Sequence, residues 1–376
     1  MAGIYLHIPF CKQACHYCDF HFSTSARYKD EMILALQQEL FLQKAYLQNE
    51  TVKTIYFGGG TPSVLSADEV SGLIDSVVCM HNVAPDAEIT LEANPDDLDQ
   101  QKVKALRQTP INRFSIGIQS FFDEDLAWMN RAHRAHEAEA SVKRVQDAGF
   151  ENITADLIYG YPLLSDAKWK HNLQKMFDLQ IPHLSAYSMT VEPQTALAAF
   201  ISKKKQPPMN EQQSANQFIL MLDAMEANGF EQYEISNFCK PGHYSRHNSN
   251  YWRGVNYLGV GPSAHSFNGA TRQWNIANNS KYIAEITVGN LPAEQELLTE
   301  TNRLNEYIMT ALRTQWGISL TKLDEFAMGA AAILLANAQK HISEGRIIKD
   351  NSCLKLSRQG KLYADNIAAS LFFDEQ

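Results

Sequence analysis

Cysteine is scarce in this chain, with six among 376 residues, and half of the six fall in one stretch of eight, "CKQACHYC" at positions 11–18. Basic residues are in deficit as well: 33 Lys and Arg stand against 42 Asp and Glu, for a formal net charge of −9. That balance argues against a general nucleic-acid binder, which carries a basic field. Long apolar runs are missing too. The longest candidate is "FAMGAAAILLANA". It falls short of the roughly 18 residues that a membrane-spanning helix needs. The opening "MAGIYLHIPFCKQ" lacks the basic stretch and apolar run of a secretory signal. These gaps together predict a cytoplasmic protein, with peripheral contact at the inner face of the membrane left open. Repeats and low-complexity tracts are also absent. What the chain does have is apolar content, with 45% hydrophobic and 10% aromatic residues. That is ample for a packed core.

In a reducing compartment, clustered cysteines serve as metal ligands or reactive groups more often than as disulfides. Cys11, Cys15 and Cys18, spaced C-x3-C-x2-C, supply three thiolates on one tight loop. Such a set suffices for three irons of a four-iron cube and leaves the fourth iron open. A structural zinc site needs four ligands, and His7, His16 or His21 could complete one; chance clustering is the third reading. Cys79, Cys239 and Cys353 are isolated and read as ordinary residues.

The first half of the chain alternates short β-type runs with helical stretches. Strands are expected at 4–8, 54–57, 88–95, 113–120, 152–162 and 183–190, with helices near 28–47, 67 onward, 97–108, 135–148 and 166–178. Strand–helix units of this length predict a mostly parallel sheet with crossover helices. Six units are too few for a complete eight-stranded barrel, so the fold class is α/β, an open, partial (β/α)6 barrel of the TIM type. Unusual residues cluster at the strand ends: "GGGT" at 58–61, Glu92, Gln119 and Asp156. In parallel α/β barrels that edge carries the chemistry.

The alternation stops after residue 190. Residues 202–212 read as an exposed loop, 211–228 as a helix, and 233–266 as loop and irregular strand rich in Gly, Asn, His and aromatics. Within the last stretch, "HNSNYW" (247–252) is either a packed aromatic corner or a haem-ligating histidine beside apolar rings. From about residue 300, helices, a hairpin ("GRIIKDNSCLKLS") and a final helix predict a small winged-helix-like α+β domain. Its basic residues are mixed with acidic ones, which suits packing or partner docking better than DNA binding. The expected domains are 1–195 (partial barrel), 196–298 (connecting region) and 299–376 (C-terminal domain).

"CKQACHYC", preceded by "YLHIPF" and set in a six-unit α/β chain, resembles the radical S-adenosylmethionine (SAM) superfamily. "GGGTPS", "LEANP", "SIGIQS", "NRAH" and "ADLIYGYP" resemble its porphyrin-related branch, which holds the oxygen-independent coproporphyrinogen dehydrogenase and the HemW-type haem chaperones. The similarity spans nearly the whole chain. It implies a [4Fe–4S] cluster on Cys11, Cys15 and Cys18 whose open iron is chelated by SAM. It implies SAM contacts at Tyr5, Gly59, Gly60, Thr61, Glu92, Gln119, Arg131 and Asp156. Bare glycine backbone would let the ligand approach closely, Arg131 would pair with a carboxylate, and an acid would hold ribose hydroxyls. "HNSNYW" matches the stretch associated with haem in the HemW-type chaperones, which makes His247 the haem-binding residue, with Tyr251 and Trp252 as candidates for support or for pure packing.

Two departures from the dehydrogenase motif follow. Phe20 stands where that enzyme has a further cysteine, and the first strand is expected two residues after Met1, without the enzyme's N-terminal extension. The implied function is a haem chaperone that binds haem and passes it to acceptor haemoproteins, respiratory-chain components at the membrane among them, with no nucleic-acid partner and no catalytic residue. The alternative is the radical SAM enzyme that decarboxylates coproporphyrinogen III.

Overall fold

A computed structural model describes residues 1–374. Six parallel strands run in chain order side by side: β1 (Ala2–Ile8), β2 (Val52–Gly59), β3 (Val83–Ala93), β4 (Arg113–Gln119), β5 (Ile153–Tyr159) and β6 (His183–Ser188). Between them lie α1 (Lys29–Leu42), α2 (Ala67–Met80), α3 (Gln100–Leu106), α4 (Asp123–Trp128), α5 (Ala135–Asp147) and α6 (Asp166–Asp178). This is the expected partial (β/α)6 barrel. Three of its helices start where the sequence supplies caps: Ser66 and Glu69 form a reciprocal capping box on α2, and Asp99 and Ser165 cap α3 and α6.

The stretch 196–298, expected as a connecting region, adds to this sheet at both ends. After α7 (Ala196–Ser202) and α8 (Glu211–Ala227), strands β7 (Glu231–Glu234) and β8 (Asn237–Cys239) continue it antiparallel beyond β6. After α9 (Arg246–Trp252), β9 (Asn256–Val260) pairs parallel with β1 on the opposite edge. Beyond β9 come β10 (His265–Phe267), β11 (Thr271–Asn275) and, past α10 (Asn279–Thr287), β12 (Ala293–Leu297), giving a twelve-stranded sheet. The C-terminal part is a separate small domain of α11 (Glu300–Leu312), α12 (Leu320–Phe326), α13 (Ala330–Ser343) and α14 (Ala364–Ser370). Its antiparallel sheet is β13 (Ile318–Ser319), β15 (Cys353–Leu356) and β14 (Ile347–Asp350), over its own apolar core.

Strand side chains alternate between two faces, and here the faces divide by chemistry. Ile4, Leu6, Ile55, Phe57, Leu91, Phe114, Ile116 and Leu157 are fully buried in the main apolar core. The alternate positions, Tyr5, Tyr56, Glu92, Arg113, Ser115, Asp156, His183 and Ser185, line a cavity of about 530 Å³ inside the barrel. A barrel interior is ordinarily filled by branched aliphatic side chains. This one is polar and hollow, so the fold itself marks the site.

No helix among the described residues is long and apolar enough to cross a membrane.

Candidate functional site: a thiol-lipped cavity in the barrel

The loop after β1 carries Cys11, Cys15 and Cys18, all free and partly exposed, over the C-terminal ends of the strands. Backbone contacts fix it. Cys11 N–H donates to the Ser23 carbonyl (3.0 Å), Ser23 N–H to Pro9 (2.8 Å), and His16 N–H to Met129 (3.0 Å). The Asn130 amide adds a bond to the Ala14 carbonyl at 2.7 Å. Thr61 Oγ1 donates to Cys11 Sγ and Arg131 Nη1 to Cys15 Sγ, each at 3.4 Å. Burial pushes the Cys11 thiol up, and the Cys18 thiol to about 11.

Among the described residues no group of three His, Cys, Asp or Glu side chains is already closed around a metal-sized space. The donor chemistry nevertheless fits an iron–sulfur cluster: three soft thiols on one loop, facing a hollow rather than the core. The three histidines weighed for a zinc site are turned to other partners. His7 bonds the Tyr5 hydroxyl (3.2 Å) and the His21 carbonyl (2.9 Å), His16 the Trp128 carbonyl (2.9 Å), and His21 the Asn279 side chain (2.7 Å).

The residues that the resemblance assigns to SAM all line this one cavity: Tyr5, Gly59, Gly60, Thr61, Glu92, Gln119, Arg131 and Asp156; Gly58 does not. The glycines also meet a packing demand. At Gly59 (φ +103°) a Cβ would stand 2.5 Å from the His7 ring, and at Gly60 it would stand 2.7 Å from the Phe10 carbonyl oxygen. The bare backbone faces the cavity and is required by close packing against β2, from the β1 side chain His7 at Gly59 and from the cysteine loop at Gly60. Gln119 holds a left-handed φ of 64°. That conformation is rare for a residue with a side chain and clusters at functional edges. Arg131 Nη2 is fixed by Asn94 Oδ1 (2.6 Å) and the Gly117 carbonyl (2.8 Å).

Loss of bulk water pushes the Glu92 carboxyl up to about 7, with Tyr56 O–H donating to it at 2.8 Å and the Asp156 charge adding to the rise. Asp156 is pushed up to about 6 by the same desolvation, eased by Ser115, whose Oγ lies 3.1 and 3.2 Å from its two oxygens, and by the charge of Arg113. Two carboxyls that titrate near neutrality can each donate or accept a hydrogen bond.

His247 belongs to the same cavity, at its other end. "HNSNYW" is helical, not irregular: α9 lies across the N-terminal ends of the strands. Ser245 Oγ caps it, and the Glu88 carboxylate of β3 accepts from Arg246 N–H (3.1 Å) and His247 N–H (3.0 Å). The His247 ring is buried and stacks on Tyr56 (centroids 5.0 Å apart, 24°), which in turn stacks on Tyr5 (6.2 Å, 22°). Its Nδ1 meets Thr54 Oγ1 at 2.8 Å and its Nε2 meets the Tyr251 hydroxyl at 2.9 Å. A Cβ at Gly3 would press on this ring at 3.3 Å, so glycine there makes its room. Burial, then the charge of Arg113, lowers the His247 pKa to about 3, so the imidazole is neutral. His243 and His265 do not line the cavity, and neither does Cys239; Phe20 stands at the mouth, 68% exposed.

Sequence reasoning missed the cavity's inner residues, chiefly Tyr56, Arg113, Ser115 and His183. The available signal was period-2 alternation of polar residues inside strands that the fold buries on both faces.

The Radical SAM superfamily model matches residues 5–176, and the HemN C-terminal domain model matches residues 298–363. The chain is 34% identical to the haem chaperone HemW of Bacillus subtilis over 371 residues, 98% of each chain. It is 36% identical to that of Mycobacterium tuberculosis, over 98% of this chain and 94% of the other. Among solved structures, coproporphyrinogen III oxidase (HemN) from Escherichia coli, a radical SAM enzyme, superposes with a TM-score of 0.85 at 21% identity. That match covers 99% of this chain and 90% of the other, and its likeness is one of fold.

Proposed function

This chain belongs to the HemW family of the radical SAM superfamily, and from that premise we propose that it binds haem and delivers it to acceptor haemoproteins. In this reading Cys11, Cys15 and Cys18 hold a [4Fe–4S] cluster and the upper cavity holds SAM. The observation that carries the reading is the cavity itself: three thiols at one end, a neutral histidine at the other, and polar strand ends between them. When bound, the cluster supplies an electron and an iron with an open coordination position. Arg131, already aimed at the thiols, pairs with the carboxylate end of SAM. Glu92 and Asp156 hold hydroxyl groups of its ribose. Gln119, Thr61 and the backbone at Gly59 and Gly60 shape the wall around it.

His247 is the proposed haem ligand. It is neutral, as an imidazole that holds iron must be, and its Nε2 would hold haem iron only once the Tyr251 hydroxyl had released its bond. His247→Ala is therefore expected to weaken haem binding at least about tenfold while leaving the visible absorption of the cluster intact, read by haem titration of anaerobically reconstituted protein. Unchanged haem affinity would remove His247 from the reading. Tyr251→Phe removes the competing hydroxyl and should raise haem affinity a few-fold in the same titration; a fall would make Tyr251 a support of the ligand instead of a competitor. Rapid release of 5′-deoxyadenosine with turnover of coproporphyrinogen III, and no haem uptake, would overturn the chaperone reading in favour of the enzyme.

A further inference from the structure

Arg113, the first residue of β4, points into the cavity and is 1% exposed, among the largest fully buried side chains of the protein. Its Nη2 reaches Thr154 Oγ1, but its Nε has no hydrogen-bond partner, and among the described residues no carboxylate comes within the 4.0 Å of an ion pair with it. Asp156 is close enough to feel its charge yet is held by Ser115. The groups beside it do not compensate either. His183 is engaged by Thr154 (3.0 Å) and the Tyr233 hydroxyl (2.8 Å), and Ser185 donates to Asn237 (2.7 Å). Burial and the Arg113 charge both push His183 and His247 down, so these two neighbours bring no counter-charge, and the Asp156 carboxyl acts on Arg113 only from beyond ion-pair contact. A guanidinium cannot neutralise by losing its proton, and a buried one whose Nε–H has neither a hydrogen-bond acceptor nor a carboxylate in contact is disfavoured.

We infer that the floor of the barrel, around Arg113, is a subsite for the carboxylate of a ligand, separate from the SAM end of the cavity. The guanidinium offers a planar fork that matches a carboxylate, and the cavity reaches it continuously from the thiol-lined mouth. The inference rests on the reading that SAM occupies the strand-end half, because only then is the floor left for a second, carboxylate-bearing molecule.

The test uses sodium propionate as the probe, with propionamide and sodium chloride as controls, on the full-length protein with and without SAM. Thermal stability and the Arg side-chain Nε–H resonances report binding. A saturable response to propionate is expected, absent with propionamide and with chloride, weakened at least about tenfold in Arg113→Gln and partly kept in Arg113→Lys. An equal response to propionamide, or an unchanged response in Arg113→Gln, overturns the subsite. Mutual exclusion of propionate and SAM also overturns it, since the carboxylate position would then be SAM's own. Should Arg113→Gln fail to fold, the lysine variant and the propionate–propionamide contrast in the unaltered protein still decide. Should SAM fail to bind, the reading of the upper cavity falls, while the same contrast judges the floor independently.

Discussion

Serine at any one of Cys11, Cys15 or Cys18 is expected to abolish the iron–sulfur cluster outright. After anaerobic reconstitution, the broad absorption near about 400 nm should vanish and bound iron fall to near zero. Among the described residues these three thiols are the only such set at the cavity mouth, and the neighbouring histidines are held by other partners. No histidine there stands ready to replace a lost sulfur. Serine oxygen is a hard, weakly acidic donor and a poor substitute for thiolate. The loop should keep its shape, because backbone bonds to Ser23, Pro9 and Met129 anchor it and none involves sulfur. Far-UV circular dichroism is thus expected to be unchanged. A variant that retains the absorption band and full iron content would show that the cluster is not held here.

The second large effect is one of stability, and it lies outside the cavity. Glu39 on α1 is fully buried, and its two oxygens accept four hydrogen bonds: from Gly261 N–H, Asn275 Nδ2 and Gln43 Nε2, each at 2.7 Å, and from Tyr282 O–H at 2.5 Å. Three of these donors come from the β9–β10 turn, β11 and α10, more than two hundred residues along the chain. Burial pushes the Glu39 carboxyl up, and the four donors oppose that by favouring the anion. Glu39→Ala leaves four buried neutral donors without this acceptor and should cost at least about 3 kcal/mol, since a buried donor left unpaired costs about 1–3 kcal/mol. The measurement is a shifted chemical-denaturation midpoint, together with faster hydrogen exchange at the Gly261 amide. A loss below about 1 kcal/mol, the scale of a single ordinary hydrogen bond, would mean that apolar contacts hold this junction.

Much of the barrel was legible because its signals are local. Strand–turn–helix alternation is a short-range pattern, and so are the cysteine spacing and the polar residues stranded at strand ends. What escaped depends on distant contacts. "HNSNYW" is made of weak helix formers. It is helical because Glu88, far earlier in the chain, accepts from the first amides of α9. Arg113 looked like an ordinary strand-opening residue, since nothing in "NRFSIGIQS" says which face of β4 meets a hollow. Gly59 and Gly60 of "GGGTP" line the cavity, but the crowding that requires them comes from His7, brought near by the pairing of β1 with β2, and from Phe10 of the folded loop, and neither contact is visible in the local sequence. The parallel pairing of β9 with β1 had no trace in local composition at all.

That pairing has a consequence for how the protein is made. The strand leading into the cysteine loop, Ala2–Leu6, finds its second neighbour only when Asn256–Val260 has been synthesised. At about 5–20 residues per second, the nascent chain carries the loop with one β1 flank open for roughly 10–50 seconds. Any factor that loads iron and sulfide during translation meets a half-framed site, and the unpaired strand is an aggregation hazard over the same interval. Loading after release, on a closed barrel edge, meets a different object.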